Sequence, residues 1–308
     1  MSDPVLGTIV SGLLGATAGA ALLARRLRSV AEERRRPLER AALLGALAAA
    51  TVALVAVERS GPLGWSGATL VGAPPFAIFV VSRSVTASVL VTLVPVYIFI
   101  ATNVRERREF FSPETALDRA IPLEPAWMLV YGSIWVFVLL PLLVVRQREL
   151  LLRAARADIV LLLVSYASFL LLPTAAPRPD RLVVDGFAAW SLRVQYDIDP
   201  PFNCFPSLHV AHSFVSAFAA HRVHRGVGRL ALAWAALIAV STLYTKQHYV
   251  ADAAAGALAA FAACVLFLRA PVPVPPEDRA RAPRRALVVV ALYGSVVLSS
   301  YLLYRFGY

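Results

Sequence analysis

His248 and Asp252 stand four residues apart in the run Lys246-Gln247-His248-Tyr249-Val250-Ala251-Asp252. On a helix that spacing places both on one face. A carboxylate that accepts the N–H of one imidazole nitrogen fixes the tautomer and raises the basicity of the other nitrogen. The plainer use of such a pair is a polar closure of a helix start. A second group is Phe205-Pro206-Ser207-Leu208-His209-Val210-Ala211-His212. Pro206 suits the first turn of a helix. The Ser207 hydroxyl and the free N–H groups of residues 207–209, that of Leu208 among them, make an anion site helped by the helix dipole. His209 would sit beside it. A third group is Ala176-Pro177-Arg178-Pro179, where Arg178 can hold a phosphate oxygen through paired bonds. The chain has five His, and three of them, His209, His212 and His248, fall in the first two groups.

The elements that must position these residues are written in the composition. The chain has 308 residues, 59% of them hydrophobic and 16% charged, with mean hydropathy +0.68. Soluble domains are about 45–50% apolar and about 25% charged, so the excess must face something other than water. Disorder is excluded by the apolar content, and a disulfide scaffold by the presence of only two Cys. The fold class expected is all-α, a polytopic bundle of membrane helices. Apolar runs of bilayer length, about 20 residues each, cover 5–24, 41–58, 85–103, 125–145, 158–174, 207–221, 230–245, 247–268 and 286–304. A weaker run, 62–82, is interrupted by Pro74-Pro75.

The charge is +11. Because Arg clusters in short segments between the apolar runs, it reads as cytoplasmic anchoring rather than nucleic-acid binding. The basic loops 25–40, 146–157, 222–229 and 269–285 share one side only if 62–82 also crosses, which gives ten crossings with both termini outside. The long polar loop 175–206 and the junction at 245–248 then share the extracytoplasmic face. Of the 30 basic residues 29 are Arg, and Lys246 is the one Lys. That bias matches a GC-rich genome, and the expectation is an integral protein of a bacterial plasma membrane.

Taken in order, the three chemical groups resemble the type 2 phosphatidic acid phosphatase and vanadium haloperoxidase superfamily. The pattern of that family is K-x6-R-P, then P-S-G-H, then S-R-x5-H-x3-D. The chain shows Arg178-Pro179, then Pro206-Ser207-Leu208-His209, then Ser241-Thr242 followed after five residues by His248 and after three more by Asp252. The resemblance covers about 85–268. It implies a six-helix catalytic core there, preceded by extra helices over 1–84 and followed over 269–308 by a Pro- and Arg-rich linker and a last helix. Three positions depart from the pattern: Leu171 replaces its Lys, Leu208 its Gly and Thr242 its Arg. Lys246 could restore the lost charge. The wording F-P-S-L-H-V-A with T-K-Q-H-Y-V-A-D is similar to the branch that includes inositol phosphorylceramide synthases, which are phosphotransferases.

The resemblance implies that His248 attacks phosphorus and forms a phosphohistidine while Asp252 orients its ring. His209 protonates the leaving alkoxide and then activates the acceptor, water or an alcohol such as inositol. Arg178, Ser207, Lys246, Ser241 and the N–H groups around Leu208 would hold the phosphate oxygens. No metal or cofactor is expected, and the partners are a lipid or polyprenyl phosphate and a polyol acceptor, not nucleic acid. The competing readings are a lipid phosphatase with water as sole acceptor, a metal site built from His209, His212, His248 and Asp252, and a transporter without chemistry, against which the absence of an internal repeat counts.

Overall fold

The computed structural model describes residues 109–306 apart from 180, 181, 183, 184 and 200, together with Leu93 and Ile100. The expected spans 5–24, 41–58 and 62–82, most of 85–103 and the loop 25–40 lie outside the described residues, and the count of ten crossings with them. The described residues other than Leu93 belong to one compact unit, Ile100–Tyr308. Within it the described elements are helices, with no strand among them. In chain order they are α1 Ala116–Ala120, a 3-10 turn at Pro125–Trp127, three short helices α2 Met128–Tyr131, α3 Ile134–Phe137 and α4 Leu140–Val144, then α5 Arg148–Leu171, α6 Phe187–Ile198, α7 Leu208–Val223, α8 Arg225–Tyr244, α9 Val250–Leu268 and α10 Pro276–Phe306. Four of these, α5, α8, α9 and α10, are long and apolar enough to cross a membrane.

Helix α7 is the centre of the bundle. It packs on α8, α9 and α5, and Val210, Ala211, Ser213, Val215, Ser216, Ala217, Ala219 and Ala220 are buried. Small side chains at these positions let neighbouring backbones come close, as membrane helices require where lipid supplies no hydrophobic drive. The outward faces of α9 and α10 stay apolar and exposed, with Leu258, Phe261, Leu287 and Leu303 among them. The basic loops meet at one end of the bundle: Arg153 donates to the Ala270 carbonyl and Arg222 to that of Arg269. The ends of α5 and α8 and the starts of α7 and α9 lie opposite.

Several expectations change: α5 already begins at Arg148, inside the expected loop 146–157, and α6 lies inside the expected loop 175–206. The run 125–145 is not one continuous helix. It breaks at Gly132-Ser133 and again before Leu140, with 3-10-type bonds from Ser133 N–H to Val130 and from Leu139 N–H to Val136. Pro141 contributes to this, because it has no N–H and its ring crowds the carbonyl four residues back. The linker 269–285 is helical from Pro276, where Asp278 accepts from Gln147 and from Arg285 and pins the start of α10.

Candidate active site

The site forms where three connecting segments meet, those after α5, before α7 and between α8 and α9. Thr174, fully buried after the end of α5, accepts through its hydroxyl the N–H groups of Cys204 and Phe205 at 3.2 and 2.9 Å. Ala176 N–H bonds to the Pro201 carbonyl at 2.7 Å. These bonds place Arg178 against the segment that enters α7. Ser207 caps that helix, its hydroxyl accepting the Val210 N–H at 3.3 Å. The N–H groups of Leu208 and His209 come next, at the positive end of the helix, where no helical carbonyl can meet them. Ser207 also bonds through its N–H to the Asp252 carbonyl at 3.0 Å. That approach requires Gly256, since a Cβ there would lie 2.4 Å from the Ser207 carbonyl oxygen.

The turn from α8 to α9 orients the second histidine. The Gln247 and His248 N–H groups both bond to the Thr242 carbonyl, at 2.9 and 3.2 Å. This closes α8 through a left-handed residue at Lys246, φ 51°, where helices ordinarily place Gly. His248 is thereby brought to face His209, with Nε2 lying 3.2 Å from His209 Nδ1. His248 Nδ1 is 3.4 Å from Asp252 Oδ2, which also accepts the Tyr249 N–H at 2.9 Å. Both His248 and Asp252 are buried.

Arg178 approaches from the other side. Its Nη1 donates to the Tyr196 and Asp199 carbonyls at 3.1 and 2.8 Å, and its Nη2 to Gln247 Oε1 at 2.5 Å. The guanidinium stacks on the Tyr196 ring, 4.5 Å from its centre. Two buried donors here have no acceptor: Arg178 Nε and Gln247 Nε2. Buried N–H groups seldom stay unpaired without a reason, and an arriving phosphate oxygen would satisfy them.

Of the residues singled out in the sequence, His209, His248 and Asp252 form one row. Ser207 and Leu208 stand at the helix start that carries His209, and Arg178 bonds to Gln247 beside His248. Lys246 and Ser241 are not brought to this group. The Lys246 ammonium donates to the Asp118 and Ile121 carbonyls at 3.0 and 2.5 Å, at the end of α1. The left-handed backbone at 246 turns the side chain that way. The Ser241 hydroxyl donates to the Ile238 carbonyl of its own helix at 2.6 Å.

The cluster of His209, His212, His248 and Asp252 considered for a metal does not assemble, because His212 pairs with Asp158 of α5 at 2.7 Å. A different trio, Cys204, His248 and Asp252, has its ligand atoms within 4.8 Å of one another. Burial pushes the Cys204 thiol well up, with Asp252 adding to it. Its S–H is directed at the Pro201 and Gln247 carbonyls.

Sequence reasoning missed Tyr131, Gln195, Asp199 and Gln247. Asp199 and Gln195 stood in a stretch read as a polar loop. Their four-residue spacing, preceded by Phe187 and Trp190, was the available sign of helix α6.

A family model described as the PAP2 superfamily matches residues 104–266, more than half of the chain. No curated protein and no solved structure matches it.

Proposed function

We propose, since the chain belongs to the PAP2 superfamily, that it is an integral-membrane phosphotransferase or phosphatase that works on a lipid-linked phosphate through a phosphohistidine. The observation that supports this best is the row itself: His209 Nδ1 at 3.2 Å from His248 Nε2, with Asp252 behind His248. An imidazole nitrogen with a carboxylate at its back is a nucleophile, and a second imidazole facing it is an acid and base placed for the same phosphorus.

In this reading His248 Nε2 attacks phosphorus, and Asp252 balances the positive charge that the ring acquires. His209 gives its proton to the departing lipid alcohol. Arg178, Gln247, the Ser207 hydroxyl and the N–H groups of Leu208 and His209 meet the equatorial oxygens, whose charge is what such a site must stabilise. The acceptor is an alcohol such as inositol, which the wording of the second and third motifs favours. Water as sole acceptor is the second reading. The site faces the extracytoplasmic side, opposite the Arg-rich loops.

The test is incubation of the purified protein with labelled lipid phosphates, with and without inositol, in the presence of EDTA, followed by trapping of acid-labile protein-bound phosphate. Turnover in chelator and label lost in His248→Ala are expected. Absence of turnover across phosphatidic acid, polyprenyl phosphates and phosphoinositides overturns the reading. Activity lost in EDTA and restored by Zn²⁺ or Mg²⁺ replaces it with a metal mechanism.

A further inference from the structure

His209 is held at both ring nitrogens. Nδ1 faces His248, and Nε2 lies 2.9 Å from the Tyr131 hydroxyl of α2. Tyr131 is fully buried, and its ring packs against that of His209 with centres 5.1 Å apart. The phenol is itself held. Gln195 Nε2 of α6 donates to it at 3.5 Å, and Trp135 Nε1 of α3 donates to Gln195 Oε1 at 3.3 Å. An indole N–H can only donate, so Trp135 sets the amide of Gln195 with its oxygen outward and its nitrogen toward Tyr131. The Trp135 ring meets His209 edge-on, with centres 6.0 Å apart. Asp199 Oδ2 lies 4.0 Å from the same Nε2, beyond hydrogen-bond reach.

We propose that Tyr131, fixed by Gln195 and Trp135, is the positioning residue that makes Nδ1 the working nitrogen of His209. The proposal rests on the phosphoryl-transfer reading above. A phenol both donates and accepts, so it stays bonded to Nε2 whether or not that nitrogen carries a proton. In the first half-reaction the His248 Nε2 lone pair forms the N–P bond. The P–O bond to the lipid alcohol breaks, and its electron pair leaves on oxygen. That oxygen takes the Nδ1 proton of the His209 imidazolium, and His209 ends neutral with its remaining proton on Nε2, donated to Tyr131. In the second half Nδ1 takes the proton of the attacking water or alcohol, whose oxygen bonds to phosphorus as the N–P electrons return to His248. Without the phenol the ring can rotate, and neither proton transfer is aimed.

The experiment uses the full chain in proteoliposomes and two lipid phosphates of equal chain length, an alkyl phosphate and a nitrophenyl phosphate. The alkoxide needs a proton to leave and the nitrophenolate does not. Tyr131→Phe is expected to lower kcat on the alkyl phosphate roughly thirtyfold, part of what a general acid supplies, with KM within about threefold. On the nitrophenyl phosphate the first half-reaction, read as the single-turnover burst of nitrophenolate, should stay within about threefold, because only the second half then needs the aimed proton transfer. Gln195→Met should show the same selectivity at smaller size, and it carries the test if Tyr131→Phe does not fold. Equal losses on both substrates in the rate of phosphohistidine formation, or none on either, overturn the positioning role. His209→Ala separates the two claims. It should lose the alkyl reaction more heavily than Tyr131→Phe does, and wild-type turnover of the alkyl phosphate by His209→Ala overturns the underlying reading instead.

Discussion

Two of the His–Asp pairs among the described residues are built differently. His212 and Asp158 join α7 to α5 through a 2.7 Å contact, with about a fifth of each side chain exposed, at 23% and 22%. His248 and Asp252 share one helix face, are 3.4 Å apart and are almost wholly buried, at 4% and 0%. The closer pair is the more satisfied one. In the deeper pair His248 Nδ1 and Asp252 Oδ1 have no hydrogen-bond partner, and leaving such groups unmet costs about 1–3 kcal/mol each. A pair that only ties helices together gains from closing that gap. A pair that awaits positive charge on its imidazole can leave it open, because the interaction then strengthens when the N–P bond forms. Under the proposed mechanism, proximity alone ranks the two pairs in the wrong order for chemistry.

The comparison breaks most cleanly at the histidines. His248→Ala is expected to bring kcat below roughly a thousandth of wild type, whereas His212→Ala keeps kcat within about threefold. Steady-state assays on matched amounts of inserted protein decide it. Activity above about a tenth in His248→Ala, against the loss expected of a missing nucleophile, would move the nucleophile elsewhere.

The carboxylates come next. Asp252→Asn should cost roughly a hundredfold in kcat, because an amide orients the ring poorly and does not balance its charge. Asp158→Asn should leave kcat nearly unchanged and lower stability by about 1–2 kcal/mol through the weakened bond between α5 and α7. Thermal unfolding in detergent and kcat measured side by side check both.

Gly256→Ala tests whether the deeper pair depends on how α7 is seated. The added methyl meets a backbone carbonyl, Ser207 O, at 2.4 Å. No rotamer relieves this, so a loss of about 1–3 kcal/mol is expected, accompanied by a fall in kcat as His209 moves away from His248. Unchanged kcat at reduced Tm would show that the row tolerates the shift.

Lys246→Met should have the smallest catalytic effect. Its ammonium ties the turn before His248 to the end of α1, so a stability loss of about 1 kcal/mol with kcat within about threefold is expected. A hundredfold fall in kcat would instead give Lys246 the phosphate-binding role that the sequence suggests. The same clasp contains Asp118. Burial works to raise its pKa, but bonds from the Thr115 hydroxyl and from the Val250 and Thr115 N–H groups hold it below the usual 3.8. A depressed folded value means this contribution is present above pH 3.8 and is lost as pH falls below it. Asp118→Asn should flatten the acid limb of Tm against pH.

Local pattern determined a good deal of this protein. Apolar runs of bilayer length state the helical class, because a membrane accepts few other ways to satisfy a backbone. The helical period puts His248 and Asp252 on one face with no knowledge of the fold, and Pro206-Ser207 announces the start of the helix that carries His209. The Arg-rich segments 146–157, 222–229 and 269–285 could be assigned to one end by charge alone, although they are largely helical. Tertiary structure decided what lies beyond one helical turn. Tyr131 reaches His209 across 78 residues of sequence and Arg178 reaches Gln247 across 69, and no periodicity encodes such meetings, which follow from how closely helices pack. It also decided direction. Lys246 stands two residues before His248, yet a left-handed backbone turns its ammonium toward α1. Ser241 sits in the third motif, yet its hydroxyl is spent on its own helix. Residue type and spacing specify which groups can do chemistry. Where each hydrogen bond goes depends on which acceptor the packed chain leaves within 3 Å or so of the donor.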